Sequence, residues 1–153
     1  MTFAIRLLTP DDTAALIACT ETDWAFEVDP DETKRAESLD LDGAVGFLND
    51  PSVLYWLAQA HGEPIASLHC YVQRRAYGGP WAELLLYSIG VHFEWRSQGV
   101  GRALLDEMER WMRQRGVAEV WVPADLEAVD FYAACGFRTD EGVIMVKDIT
   151  SPA

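Results

Sequence analysis

The apolar and polar positions of the chain fall into ten blocks, whose periodicities predict the order β-α-α-β-β-β-α-β-α-β. Residues 83–92 are apolar almost throughout, which is typical of a central strand. Beyond residue 99 the period changes, and Val100, Leu104 and Met108 recur at helical spacing. The predicted strands are 3–8, 53–60, 65–74, 83–92, 118–122 and 143–149, and the predicted helices are 9–22, 36–48, 100–115 and 125–135.

This order predicts an α/β fold in which a central mixed sheet carries helices on both faces. The length of 153 residues is typical of a single domain, here spanning residues 1–153. Thr9, Pro10 and Asp12 form a capping pattern for the start of the first helix. Asp125 is expected to cap the last helix, and Gly136 to end it.

The net charge of −13 argues against a nucleic-acid partner, because binding to phosphate backbones needs clustered Lys and Arg. An acidic surface instead attracts cationic small molecules or basic peptides, although it can also serve solubility alone. Three cysteines lie far apart, which favours a reducing cytoplasm over a disulfide scaffold. The sequence predicts no signal peptide and no membrane association. No metal site is expected either, since the three histidines lack the spacing of metal ligands.

The strongest chemical signal is a strand that runs through a glycine-containing loop directly into a helix. Amide groups at a helix N-terminus are unpaired and carry a positive partial charge, so they bind phosphate groups. A Walker loop would need Lys and Ser or Thr after Gly101, and a dinucleotide fingerprint would need Gly or Ala at Leu104. The remaining alternative is a turn with incidental glycines. The candidate cofactor-binding residues are Ile89, Gly90, Val91, Arg96, Ser97, Gln98, Gly99, Val100, Gly101, Arg102 and Asp125.

Two segments carry a resemblance to the GNAT superfamily of N-acetyltransferases. Arg96, Gly99 and Gly101 match the loop of its first motif, and residues 125–137 resemble its second signature, Asn-x-x-Ala-x-x-Phe-Tyr-x-x-x-Gly-Phe. Asp125 stands where the family usually has Asn. The resemblance implies acetyl-CoA as co-substrate, with its diphosphate on the loop amides and its pantetheine arm beside a strand that splays from its neighbour.

The resemblance also implies roles for two side chains in catalysis. Tyr132 lies where family members often place the general acid that protonates the departing thiolate. Glu83 lies where many members carry a carboxylate that removes a proton from the amine, either directly or through water. The structural alternatives are an aromatic packing pair at Phe131 and Tyr132 and a solvated glutamate at the end of a strand.

The acceptor site is expected at the acidic, aromatic segment 21–32, with Asp23, Trp24 and Glu27 as candidate substrate-binding residues. The C-terminal part looks like the branch that acetylates aminoglycosides at the 3-amino group, although Ser88 falls where Asp is expected. We therefore predict an acetyl-CoA-dependent enzyme acting on a primary amine of a cationic small molecule, either aminoglycoside- or polyamine-like. A protein or peptide acetyltransferase and a non-catalytic acyl-CoA-binding module stay open, and a homodimer is compatible with the exposed tryptophans.

Overall fold

The computed structural model describes residues 2–35 and 37–149. The backbone forms two compact units, which are divided between Val122 and Pro123. The N-terminal unit contains a five-stranded sheet and three α-helices, and the C-terminal unit contains one short α-helix. No helix in the described ranges is long and apolar enough to cross a membrane.

The strands lie in the sheet in their order along the chain. The first four run antiparallel to their neighbours, and the last pair is parallel, so the sheet is mixed as predicted. A β-bulge interrupts the pairing of the third and fourth strands next to His69. The strands are β1 Ala4–Leu7, β2 Val53–Ala60, β3 Glu63–Arg74, β4 Ala82–Val91 and β5 Val120–Trp121.

The three helices of the N-terminal unit cover both faces of this sheet. They are α1 Thr13–Thr22, α2 Leu41–Leu48 and α3 Val100–Arg115. Leu57 of β2 joins a buried cluster with Leu16 of α1 and Leu48 of α2. On the opposite face, the sulfur atoms of Cys70 in β3 and Met108 in α3 lie 3.7 Å apart. The predicted α/β class is therefore confirmed, since α1 and α2 pack on one face of the sheet and α3 packs on the other.

Two helices begin later than predicted. The first starts at Thr13 rather than Thr9. The Asp12 carboxylate accepts the Thr9 amide N–H at 2.7 Å, which is the bond that the capping pattern predicted, but the Asp12 amide donates to the Thr9 carbonyl at 2.9 Å in a turn that precedes the helix. The second starts at Leu41, where Asp40 accepts the Gly43 amide at 2.7 Å and caps the helix. A carboxylate–amide bond thus marks the start of the second helix, whereas the bond at Thr9 lies one turn before the first.

One prediction for the C-terminal unit is partly wrong and another is wrong. The range 125–135 does contain a helix, α4 Val129–Ala134, but its predicted first turn is a 3₁₀ turn, Leu126–Ala128, and the Asp125 side chain makes no capping bond. Residues 143–149 have strand-forming composition but no strand, because a strand exists only where a neighbour supplies hydrogen bonds. Their apolar side chains are exposed, including Val143, Met145 and Ile149.

Candidate active site

The pairing of β4 with β5 ends well before β4 does. Only Leu84 with Val120 and Leu85 with Trp121 are in register. From Leu86 to Val91, β4 therefore runs without a partner strand on that edge within the described part of the N-terminal unit. Backbone groups along such an edge are available to an extended ligand, which can add as a strand would.

The β4–α3 loop, residues 92–99, turns this free edge into a helix N-terminus. Ser97 has φ 62° and Gly99 has φ 83°, both in the left-handed region. α3 begins at Val100 with no side-chain capping bond, so its first amide groups remain available. A Cβ at Gly99 would meet nothing within 4 Å, which means that open space lies above the loop.

This geometry fits a diphosphate-containing cofactor. Successive left-handed and helical residues direct amide N–H groups toward one point, and the helix dipole favours an anion there. Val100 is buried and fixes the start of the helix in the core, while Ser97, Gln98 and Gly99 remain exposed. The side-chain amide of Gln98 donates to the Glu94 carbonyl at 3.1 Å, which closes the loop on itself.

Arg96 joins this loop to the segment between α1 and α2. Its guanidinium donates to the Val28 carbonyl at 3.3 Å, to the Phe26 carbonyl at 3.3 Å and to the Glu27 carbonyl. It also donates to the Val91 carbonyl at 3.3 Å, at the end of β4. The side chain predicted to bind phosphate is thus engaged with backbone carbonyls, and a phosphate contact from it stays a prediction.

The 23–28 segment, which contains the 3₁₀ turn Asp23–Phe26, lies directly against β4. A Cβ on Gly90 would come within 2.8 Å of the Phe26 Cβ, so only glycine allows this approach. The Trp24 ring lies 6.4 Å from the Phe93 ring of the β4–α3 loop. The predicted substrate segment and the predicted cofactor loop are therefore in contact.

Asp23 has an unusual environment for a loop carboxylate. Partial burial raises its pKa, while the Trp24 amide N–H opposes this effect. Burial also raises the pKa of Tyr55, and the charges of Cys19 and Asp23 add to that effect. The Tyr55 hydroxyl lies 3.2 Å from the Cys19 sulfur. Asp23 is thus placed near buried polar groups of the sheet, where a cationic partner is favourable.

His92, in the β4–α3 loop, and His69, in β3, differ in their partners. His92 accepts the Glu94 amide on Nδ1 at 3.1 Å and stacks on Phe93 at 4.6 Å, so its ring packs within the loop. His69 is 7 % exposed, and its Nε2 has no hydrogen-bond partner. Sequence reasoning did not select His69 as a functional residue.

Aromatic rings from three strands and one helix surround His69. They are Tyr71 at 4.6 Å, Phe47 at 5.0 Å, Tyr87 at 5.1 Å and Tyr55 at 5.8 Å between ring centroids, and together we call them the His69 cluster. The sequence signal was present, because Ser67, His69 and Tyr71 alternate on one face of an otherwise apolar strand. Their aromatic partners could not be assigned without the fold.

The sequence profile of the acetyltransferase (GNAT) family matches residues 15–137, which includes the β4–α3 loop and α4. The chain belongs to the GNAT family. It is 28% identical over 154 residues to the aminoglycoside N(6')-acetyltransferase type 1 of Stenotrophomonas maltophilia, covering 97% of this chain and 95% of that protein. The chain is thus a GNAT N-acetyltransferase with aminoglycoside acetyltransferase homologues.

Solved structures have the same fold. An aminoglycoside acetyltransferase from an uncultured soil metagenomic sample, in complex with sisomicin, superposes on the GNAT chain with a TM-score of 0.83 at 22% identity, covering 97% of both chains. Aminoglycoside N-acetyltransferase AAC(6')-Iy in complex with CoA gives a TM-score of 0.71 at 17% identity, covering 96% of this chain and 95% of that one. Two of these names specify the 6′ amino group, whereas the C-terminal part of the sequence looks like the branch that acts on the 3-amino group.

The fold does not bring Glu83 to the loop of this GNAT enzyme. Glu83 lies near the opposite end of β4, six residues from Ile89, which is about 20 Å at the usual rise of a strand. Its carboxylate forms an ion pair with Arg75 at 3.1 Å. A base role for Glu83 stays a prediction, and a chain of water molecules would have to cover the distance.

Tyr132 and Asp125 belong to the C-terminal unit of the GNAT enzyme. Tyr132 lies in α4 and is buried, and its ring centroid is 5.4 Å from Phe131 and 5.3 Å from Phe137. The aromatic packing alternative is therefore satisfied, and an additional role as an acid stays a prediction. Asp125 accepts the Ala128 amide through its backbone carbonyl at 2.9 Å, which leaves its carboxylate without a capping role.

Proposed function

We propose that this GNAT enzyme transfers the acetyl group of acetyl-CoA to a primary amine of a cationic small molecule, aminoglycoside- or polyamine-like. The observation that carries the cofactor part is the free edge of β4, Leu86 to Val91, leading into an uncapped helix with Ser97 and Gly99 in left-handed conformations. The amides from Ser97 to Gly101 bind the diphosphate, and the backbone of Ile89, Gly90 and Val91 holds the pantetheine arm.

The acceptor part is supported by the 23–28 segment. Arg96 holds this segment at the β4–α3 loop, with Asp23 and Trp24 on it. Partial burial disfavours the ionised form of Asp23, and a nearby ammonium group offsets that cost. The indole ring of Trp24 attracts the same ammonium group. The relatives named above are aminoglycoside acetyltransferases, and the structure in complex with sisomicin suggests this aminoglycoside as an acceptor to test.

The amine attacks the thioester directly, and two residues transfer the protons that this reaction requires. The acceptor arrives as an ammonium group, and Glu83, through water, removes the proton whose loss makes it a neutral amine. The amine forms the new C–N bond as the C–S bond breaks, and Tyr132 donates its hydroxyl proton to the departing sulfur. The second N–H proton, which is released as the amide forms, passes to solvent, from which the Tyr132 hydroxyl is restored. A lysine-like amine with a pKa near 10.4 is almost entirely protonated at pH 7, so proton removal is a requirement of the reaction.

The test measures release of free thiol from acetyl-CoA with sisomicin, spermidine and a peptide with a free N-terminus. We expect turnover with sisomicin, with spermidine or with both. NMR of acetylated sisomicin then identifies whether the 3- or the 6′-amino group reacts. Tyr132→Phe is expected to reduce kcat by about 10²–10⁴-fold, whereas Tyr77→Phe, a change at an exposed turn residue, leaves it unchanged. Turnover confined to the peptide would overturn the small-molecule assignment.

Two glycines provide a matched test of the amide cradle. Gly99 has φ 83° and Gly79 has φ 112°, and neither has an atom within 4 Å of an added Cβ. We expect CoA to raise the melting temperature of Gly79→Ala as it does that of the wild type, through binding to the folded state. Gly99→Ala is expected to lose this rise, because the loop can no longer hold its left-handed turn without strain. Equal shifts in the two variants would place the diphosphate elsewhere.

The same proposal extends to the setting in which the enzyme acts. We place it in the cytoplasm, where acetyl-CoA is made and thiols stay reduced, which suits the free Cys19, Cys70 and Cys135. A homodimer remains part of the proposal, and light scattering on the purified chain tests it. A molar mass equal to 17.1 kDa would contradict the dimer.

A further inference from the structure

The polar group that most requires an explanation in the described residues is Nε2 of His69. Among the buried side-chain nitrogen and oxygen atoms of those residues, it is the one found without a hydrogen-bond partner. Leaving a buried polar atom unpaired destabilises a fold, so an atom of this kind in a natural protein needs an explanation, and a group that binds there is one. His69 is 7 % exposed, which puts this atom inside the protein rather than at its surface.

The rings around this atom differ in how far they are exposed. Phe47 and Tyr55 are partly buried and pack against the core cluster under α1 and α2. Tyr71 is half-buried, and Tyr87 is 62 % exposed, with its ring centroid 5.6 Å from that of Tyr71. Tyr87 is therefore the most exposed of the four rings, and a ligand can approach His69 past it, because an exposed side chain changes rotamer readily.

The β-bulge places these groups beside the free edge of β4. Pairing shifts register between His69 and Cys70, so that His69 faces Ser88 while Cys70 faces Leu86, and Tyr87 is the extra residue. Tyr87 thus lies at the start of the stretch from Leu86 to Val91 that β5 leaves unpaired. A group bound at the His69 cluster is held next to the strand edge proposed to carry the thioester.

The chemistry of the cluster suits a cation that donates hydrogen bonds. Tyrosine rings attract ammonium groups through their negative faces. Burial lowers the pKa of His69 to about 4, so its imidazole is neutral at pH 7 and does not repel a cation. A neutral imidazole that carries its proton on Nδ1 accepts a hydrogen bond on Nε2.

We propose that His69, Tyr71 and Tyr87 bind the acceptor: one of its amino groups lies against the two tyrosine rings and donates a hydrogen bond to Nε2 of His69. The proposal rests on the acetyltransferase function proposed above and adds to it the residues that determine amine recognition. A carboxylate at Asp23 then serves a second ammonium group, so the site selects acceptors with more than one amine. His69 is a binding residue here, and proton removal is left to other groups.

His69→Phe separates this role from a structural one. It keeps a ring in place and removes the unpaired nitrogen, so the melting temperature should stay the same or rise. The KM for sisomicin should nevertheless rise about 10- to 100-fold, the range for losing a hydrogen bond to a charged group. The KM for acetyl-CoA and the melting shift given by CoA should not change. A purely structural His69 predicts a stable variant with unaltered kinetics, and that result overturns the proposal.

Tyr87 has a matched control in the turn between β3 and β4. Tyr87→Ala is expected to raise the KM for sisomicin about 3- to 10-fold through loss of the ring's attraction for an ammonium. Tyr77→Ala removes an exposed tyrosine ring outside the cluster and should leave both KM values unchanged. Equal effects of the two changes would remove Tyr87 from the site.

A direct readout uses the ring nitrogens of the three histidines, His61, His69 and His92. In ¹⁵N-labelled protein, the two ring-nitrogen signals missing from His69→Phe belong to His69, and the one from the unprotonated nitrogen is assigned to Nε2. Sisomicin should shift that signal, because accepting a hydrogen bond changes the shielding of the nitrogen, and should leave the His61 signal in place. An unmoved His69 signal overturns the inference. Sisomicin turnover with an unmoved signal overturns it alone, while absence of turnover with every amine overturns the proposed function and the acceptor role together.

Discussion

Gly90→Ala tests whether β4 and the 23–28 segment are as close as the structure shows. A methyl group at this position would lie 2.8 Å from Cβ of Phe26 and 3.4 Å from two atoms of its ring. Because the nearest atom is Cβ, rotation of the Phe26 side chain cannot relieve the contact, and the backbone of the segment must move. Overpacking of this kind destabilises a protein by about 1–3 kcal/mol, which in a chain of this length lowers Tm by about 3–10 °C.

The same displacement should alter catalysis in one direction. The backbone that moves carries Asp23 and Trp24, so the KM for the amine should rise more than the KM for acetyl-CoA. Thermal unfolding and initial rates of thiol release measure the two effects. Gly46→Ala in α2 is the control, because a Cβ there meets nothing within 4 Å and should stabilise by about 0.4–1 kcal/mol. If Gly90→Ala has the same melting temperature as Gly46→Ala, or changes only the KM for acetyl-CoA, the close approach of β4 and the 23–28 segment is refuted.

Three further changes test other contacts of the site. Arg96→Lys should lower Tm and raise the KM for the amine, because one ammonium cannot replace a guanidinium that donates to several carbonyls; Arg113→Lys, at an exposed ion pair, should do neither. Asp23→Asn should raise Tm at pH 7 and weaken amine binding. The raised pKa of Asp23 means that its ionised form destabilises the fold, so the stability of the wild type falls as pH rises through the carboxylate range. The gain in Tm should therefore vanish in acid, where Asp23 is protonated. The wild type should lose stability as pH falls from 6.5 toward 4, because His69 stays neutral when folded and takes up a proton when unfolded; a Tm-against-pH curve of His69→Phe that keeps the same slope would contradict this.

The parts of the fold that could be predicted from the sequence are those set by local chemistry. The glycine loop and the strand before it follow from residues within twelve positions of one another, and the amphipathic period of α3 continues without a break to Arg115. Helix starts depend on which carboxylate reaches which amide: Asp40 caps its helix directly, whereas the bond between Asp12 and Thr9 lies one turn before the first helix begins. Local signals of this kind compete at short range, and the sequence does not rank them.

The parts of the site that could not be predicted depend on contacts between distant segments. Three of the carbonyls that accept from Arg96 lie about seventy residues earlier in the chain. The rings around His69 come from α2, β2, β3 and β4, and a bulge puts Tyr87 on their side of the sheet. The strand expected at residues 143–149 was the opposite error, since its composition was correct but the described chain offers it no partner. Composition therefore identifies candidates for sheet residues, and only the register assigns their neighbours.

Arg96 and Gly90 together make the two halves of the site depend on each other. Arg96 donates to both the end of β4 and the 23–28 segment, and Gly90 allows that segment to lie on the strand. If CoA orders the β4–α3 loop, it also fixes Arg96 and lowers the conformational entropy of the segment that carries Asp23, so the amine then binds at a smaller cost. Thermodynamic linkage makes the effect reciprocal: the amine must tighten CoA binding by the same factor. Calorimetry of CoA with and without saturating sisomicin should therefore show tighter CoA binding in its presence, and Arg96→Lys should bring the two affinities closer together. Identical CoA affinities in the wild type would mean that the Arg96 bonds hold the two loops side by side without coupling them.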